Sequence, residues 1–380
     1  MLQSTSQRLL ALKGLATFAF LGAIQALYGP LVPGLKQTFG IDTSEAGLIF
    51  TAHGGGALIG ILTPLFLRAR LLTSHPLAIA TTLLMFGASG LLFAPSWPLM
   101  LVAAFVLALG FGVHVERLNS LFVAGFGTRG MTMSQLINAA FSIGSILGPI
   151  ALALSGGPSR GIYGGVALVA LALLPISLAT DARVKKPSSG SSKADSAQAR
   201  TGSRTVLTAF VLMLCLVSGV ENSIAGWTAT LALARGYTYA EAANLTALFF
   251  GSILGGRLLA AGFAQRVRTG VLIVTAVGCA ALLLAVAGLT PFGPVVFALS
   301  GLALAPVFSA TLIWVGSALP TSTHTNAIVI AGALLGAAVF PALTGKVIDS
   351  FGASAAPSAI LVLALAALGA AIWLHFVRRA

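Results

Sequence analysis

The chain has 380 residues, 57% of them hydrophobic and 8% charged, with a mean hydropathy of +1.01 and a formal net charge of +13. A soluble domain is about 45–50% apolar and about 25% charged, so no soluble core absorbs this much apolar surface. The positive charge does not point to a nucleic-acid partner. Its largest group, Arg183, Lys185, Lys186, Lys193, Arg200 and Arg204, sits in one Ser/Gly/Ala-rich stretch without interleaved aromatics, as expected of a cytoplasmic loop near anionic lipid.

In chain order, the apolar segments predict helices over 10–33, 44–68, 74–94, 97–124, 131–156 and 161–180, then 205–232, 239–264, 269–289, 293–316, 323–347 and 355–377. Each approaches or exceeds the roughly 20 residues that cross a bilayer's hydrocarbon layer as one helix. Continuous rather than alternating apolar runs argue against a β-barrel. The expected fold is all-α and integral to the membrane: twelve transmembrane helices in two six-helix bundles, 1–180 and 204–380, joined by a cytoplasmic linker at 181–203. The first segment, behind Arg8 and Lys13, mimics a signal peptide, but its length and the absence of a following soluble domain favour a membrane helix.

Lys and Arg in the connections set the orientation. With both termini inside, fifteen of the 21 fall on the inner side and four, Lys36, Arg160, Arg235 and Lys346, on the outer side. The expected location is a plasma membrane of the bacterial inner-membrane type, with both termini cytoplasmic. Cys215 and Cys279 each lie inside an apolar run and read as small buried residues, not a disulfide or metal pair. No metal or cofactor is expected, and no phosphate-binding loop is present to use ATP directly. A weak internal repeat appears at an offset of 196, with Gly55 on Gly251, Gly60 on Gly256 and Arg70 on Arg266.

Ionisable side chains within lipid-spanning helices are costly, and four stand out: Glu116, Arg117, Glu221 and Arg257. Glu221 lies on a stripe with Ser218, Ala225 and Thr228, flanked by Asn222 and Trp227. It serves proton coupling or solute contact, or it forms a structural pair with Arg257 or Arg117. In the fourth segment, Glu116 and Asn119 share one face, while His114 and Arg117 share another. Arg117 fits a gate or an interhelical clamp. The fifth segment carries a polar line of Gln135, Asn138, Ser142 and Ser145 ending at Pro149, and the first carries Gln25 and Tyr28 beside Gly29-Pro30. These lines either join helices by hydrogen bonds or present polar groups to a solute.

Patterns of soluble hydrolases occur in the wrong setting. His53-Gly54-Gly55-Gly56 sits inside an apolar helix, and Gly157-Pro158-Ser159-Arg160-Gly161 follows a helix instead of a strand. Gly87-Ala88-Ser89-Gly90, with His114 or His324 as its base, matches an intramembrane serine protease only by short motif. The chain is not expected to be an enzyme.

The arrangement resembles the major facilitator superfamily over essentially the whole chain. It is most similar to the fucose permease-like branch of proton-coupled sugar symporters. The resemblance rests on Tyr28-Gly29-Pro30-Leu31-Val32-Pro33, Phe39-Gly40-Ile41 and Ala46-Gly47-Leu48, on Gly110-Phe111-Gly112 with Asn119, and on Asn138 with Gly144 to Pro149. In the second half it rests on Glu221, Ala225-Gly226-Trp227, Gly256-Arg257, Gly301 to Pro306, and Pro341, Gly345, Asp349 and Gly352.

That resemblance implies two bundles rocking about a central site, with a membrane carboxylate coupling transport to protons. It assigns coupling to Glu221 and Glu116 and solute contact to Gln25, Tyr28, Asn119, Gln135, Asn138, Asn222 and Trp227, with Arg117 and Arg257 gating or structural. The implied partners are a small polar solute, protons and the bilayer, and the expected state is a monomer. The branch's acid in the fourth helix falls on Val115, one step from Glu116, and the superfamily's loop after the second helix keeps Arg68 and Arg70 without its Asp. Gln265 stands where the loop after the eighth helix would carry an acid. Gly144-x-x-x-Gly148-Pro149 also half-matches the signature of efflux antiporters, which makes proton-coupled drug or metabolite efflux the alternative.

Overall fold

The computed structural model describes residues 5–66, 75–126, 129–183, 201–263, 266–319 and 323–377. Arg68, Arg70, Gln265 and most of the expected linker lie outside the described residues. Every regular element described is helical. In the first half these are α1 (Thr5–Phe39), α2 (Thr43–Phe66), α3 (Pro76–Phe93), α4 (Trp97–Gly125), α5 (Gly130–Leu154) and α6 (Ile162–Arg183). The second half holds α7 (Thr201–Ala234), α8 (Tyr239–Phe263), α9 (Thr269–Leu289), α10 (Gly293–Leu304), α11 (Val307–Ala318), α12 (Thr323–Phe351) and α13 (Ala356–Val377). Among the described residues, twelve helical spans are long and apolar enough to cross a membrane.

Two boundaries differ instructively from expectation. α1 runs through Pro30 and Pro33 to Phe39, so neither proline ends it. The tenth span, expected as one helix over 293–316, is interrupted at Ala305–Pro306, where α10 gives way to α11. Proline lacks the N–H that would continue the ladder, and its ring crowds the preceding turn.

The chain divides into two units, Met1–Ile41 with Leu48–Ser188, and Asp42–Gly47 with Ser189–Ala380. In the first, α1 lies along α5, and α3 packs on α4 and α6. In the second, α7 lies along α12 and α13, α8 along α10, and α9 between α10 and α13. In lipid, helices gain no hydrophobic advantage from each other, so small residues that allow close backbone approach hold them together. A Cβ on Gly144 would fall 1.7 Å from the Ala19 carbonyl oxygen, and one on Gly336 would fall 1.9 Å from that of Cys215. At the α2–α4 and α8–α10 contacts, a Cβ on Gly60 would lie 2.4 Å from the Leu109 oxygen, and one on Gly256 would lie 2.3 Å from that of Leu302. Outward, Phe93, Leu154 and Leu289 are 76%, 83% and 86% exposed, a surface suited to hydrocarbon and not to water.

The repeat at 196 is visible in the turns. Gly40 and Gly236 follow α1 and α7 at φ 63° and 84°, and Gly156 and Gly352 follow α5 and α12 at φ 82° and 84°. These are left-handed positions that favour glycine. α2 and α8 both open on a capping box. In one, the Asp42 N–H donates to Glu45 and the Glu45 N–H to the Asp42 carboxylate. In the other, the Thr238 N–H donates to Glu241 and the Glu241 N–H to the Thr238 hydroxyl.

Candidate functional site

In the first unit, α1, α2, α4 and α5 bring one aromatic cluster together. Tyr28 is fully buried, and its hydroxyl lies 3.1 Å from Nδ1 of His53. The His53 ring stands edge-on to Tyr28 at 4.9 Å and to Phe111 at 5.1 Å, and Phe111 stands edge-on to Phe141 at 6.2 Å. Nε2 of His53 is buried and has no hydrogen-bond partner among the described residues. Gln25, one turn before Tyr28, is half-buried.

Nearby on the chain, α4 meets α5 through Asn119. Its Oδ1 accepts a 2.9 Å hydrogen bond from Ser134, while its Nδ2 donates to the Val115 carbonyl at 2.9 Å. Asn138 donates to the Ser134 carbonyl at 2.8 Å, and Gln135 is exposed. Glu116 accepts from Ser120 at 3.0 Å, one turn along the same helix. Arg117 is half-buried, and its Nε has no hydrogen-bond partner among the described residues.

His114 belongs to a different layer. Nδ1 lies 2.9 Å from the Gly110 carbonyl and Nε2 3.2 Å from the Thr81 hydroxyl, which itself sits 2.7 Å from Ser177. Both ring nitrogens are occupied, which makes it a core histidine joining α3, α4 and α6. Ser89 donates to the Met85 carbonyl at 2.9 Å, so the short protease pattern has no Ser89–His114 contact behind it. α6 continues through Arg183, which takes Asp181 into the packing of the first unit. Its carboxylate accepts the N–H groups of Leu77 at 3.4 Å and Ala78 at 2.9 Å at the start of α3. Lys13, counted by sequence among the inner-side cations, is 3% exposed within α1 and feels the charge of Asp181.

In the second unit, Glu221 is half-buried near the middle of the Arg204–Ala234 span of α7, and the charge of Arg257 on α8 acts on its carboxylate. Asn222 donates to the Ser218 carbonyl at 2.9 Å. Trp227 is fully buried, and its indole N–H donates to the Pro341 carbonyl of α12 at 2.9 Å. Asp349, at the end of α12, accepts the N–H groups of Thr43 and Ser44 at the start of α2, in the Asp42–Gly47 segment that belongs to this unit.

The structure thus collects Tyr28 with His53, Asn119 with Ser134, and Glu221 with Arg257. It leaves Gln135 exposed and engages Trp227 in packing. His53 was missed as a site residue because it was weighed only as part of a glycine-rich motif. The signal was available: it is an ionisable side chain at the centre of the Thr43–Thr63 span. A cavity of about 360 Å³ between α3 and α6, lined by His75, Ala78, Ile79, Thr82, Leu83, Leu174 and Leu178, touches none of these groups.

The profile of the Major Facilitator Superfamily matches residues 14–325. No curated protein matches the chain by sequence. Among solved structures, the fold is similar to a D-xylose-proton symporter (TM-score 0.74, 13% identity, 96% of this chain and 97% of that one). It is similar also to the nucleoside transporter NupG (TM-score 0.73, 15% identity, 99% and 100%). A third, the Major Facilitator Superfamily transporter FucP in its outward conformation, aligns with a TM-score of 0.62 at 19% identity over 96% and 99% of the two chains.

Proposed function

The chain belongs to the Major Facilitator Superfamily, and from that premise we propose that it is a proton-coupled symporter of a neutral, sugar-like solute. The observation that carries this reading is Glu221 within reach of the Arg257 charge at membrane depth in the second unit. A carboxylate at that depth is costly unless it is paired or does work. Glu221 attracts Arg257 when ionised and releases it when protonated, so proton occupancy biases the packing of α7 against α8. Solute binding that favours one of those arrangements is thereby linked to the proton.

Inward movement of one proton charge supplies about 2.3 kcal/mol per 100 mV, which is enough to concentrate a neutral solute. Gln25, Tyr28 and Asn119 of the first unit are its proposed polar contacts, and Glu116 is a second proton group. The indole N–H of Trp227 is taken by Pro341, so only its ring face is proposed to meet the solute. Both termini are assigned to the cytoplasmic side by the charge of the connections.

The test is uptake of labelled D-xylose and uridine into proteoliposomes holding the purified protein under an imposed inward proton gradient. Accumulation that collapses with a protonophore is expected. Efflux of lipophilic cations without sugar or nucleoside uptake would overturn symport in favour of the antiporter.

A further inference from the structure

The pairing of His53 with Tyr28 leaves a hydrogen-bonding deficit that can be counted. A neutral imidazole carries one N–H, a phenol carries one O–H, and a single hydrogen bond joins the two groups at 3.1 Å. Whichever group donates, one donor hydrogen and one acceptor lone pair remain at the outer ends of the pair. Nε2 meets no acceptor or donor among the described residues, although His53 is only 8% exposed. An unsatisfied buried polar atom in a native fold calls for an explanation. Packing alone would be served better by an apolar side chain.

We infer that Nε2 of His53 is a binding group for a hydroxyl of the solute, with the Tyr28 and Phe111 rings flanking the apolar face of a polyhydroxylated ring. This rests on the symporter reading above and narrows its substrate class to neutral sugars or the ribose of nucleosides. The geometry suits that class in three respects. Tyr28 fixes the imidazole through Nδ1, so the direction of Nε2 is set before solute arrives. A hydroxyl is both donor and acceptor, so it satisfies the pair in either tautomer. The neighbouring rings, at 4.9 and 5.1 Å from the imidazole, provide apolar surface and no competing charge. Nε2 is closed off in this conformation, and alternating access supplies a second one in which it opens.

Two isosteres separate binding from structure. His53→Asn keeps an amide near Nδ1 for Tyr28 and removes the Nε2 end. His53→Gln keeps an amide near Nε2 and loses the Tyr28 end. Equilibrium binding of labelled D-xylose and uridine to purified full-length protein is expected to weaken about tenfold in His53→Asn and less than about threefold in His53→Gln. Wild type is expected to discriminate among monodeoxy analogues of the bound probe, and His53→Asn to lose discrimination at one hydroxyl.

The reverse order, with His53→Asn tolerated and His53→Gln damaged, would make the histidine a structural partner of Tyr28 and overturn the inference while leaving symport intact. Equal affinities in all three proteins would overturn it too. If wild type bound and moved neither probe, the symporter reading itself would fail and take this assignment with it.

Discussion

Where α1 crosses α5, Gly22 and Gly144 bring backbone onto backbone, and where α7 crosses α12, Gly336 makes the same kind of approach while Gly219 leaves room for the Phe340 side chain. The polar groups carried at the two crossings behave differently. On α5, Asn138, Ser142 and Ser145 each donate to a carbonyl one turn back, at 2.8, 3.3 and 3.0 Å. On α7, Glu221 feels the charge of Arg257 of α8, Trp227 donates to Pro341 of α12, and Ser223 accepts from Thr344 of α12. Amides and hydroxyls are donors and can be satisfied by their own helix. An ionised carboxylate only accepts, and a helix interior offers it no spare N–H, so it needs a donor side chain, as Glu116 finds in Ser120, or a charge on another element, as Glu221 finds in Arg257. Polar periodicity therefore marks a face, whereas a buried acid or a half-satisfied histidine marks a place where something must meet it.

The heaviest blow to this comparison would come from Gly144→Val and Gly336→Val. Each puts a side chain into the facing backbone, and each is expected to destabilise by about 3 kcal/mol or more or to prevent folding. Gly255→Ala, where a Cβ meets nothing within 4 Å, serves as the tolerated control. Detergent-solubilised yield and thermal unfolding read the difference, and unequal losses at the two crossings would break the claim of equivalent packing.

Glu221→Gln is expected to abolish proton-driven accumulation in proteoliposomes while keeping part of solute exchange. Unchanged accumulation would remove Glu221 from coupling and leave α7 no different in kind from α5. A smaller effect is expected from Trp227→Phe, which removes the indole hydrogen bond to the Pro341 carbonyl and costs about 1 kcal/mol by thermal unfolding, with transport retained. The smallest is Ser142→Ala, at about 0.6 kcal/mol or less, because that hydroxyl serves its own helix. A loss of solute affinity in Ser142→Ala would show the α5 line to be a binding face after all.

Much of the helical framework was legible because length and hydropathy are local properties. The expected and observed bounds of the ninth helix coincide at 269–289, and those of the fourth differ only at one end, 124 against 125. The failure at Pro306 is informative, since Pro149 and Pro341 lie within unbroken helices. Whether a proline interrupts the ladder depends on what surrounds it, and one chain gives no sign of that. At the candidate site, the types of residue were legible and their pairings were not. Asn119 and Glu116 share a face of α4, but that spacing gave no sign that the Asn119 oxygen is held by Ser134 across a helix interface. Asp181 was assigned to the linker and proves to cap α3.

The sequence by itself determined that this is a twelve-span, all-helical membrane protein with a repeat at 196. Apolar run length, glycine turns and capping boxes act over a few residues at a time. Only the tertiary structure decided which ionisable groups have partners. It set Tyr28 against one nitrogen of His53, left the other empty, and brought Arg257 to Glu221. Those relations join residues on different helices, and in a low-dielectric interior it is the partner, not the residue type, that fixes what a polar group can do.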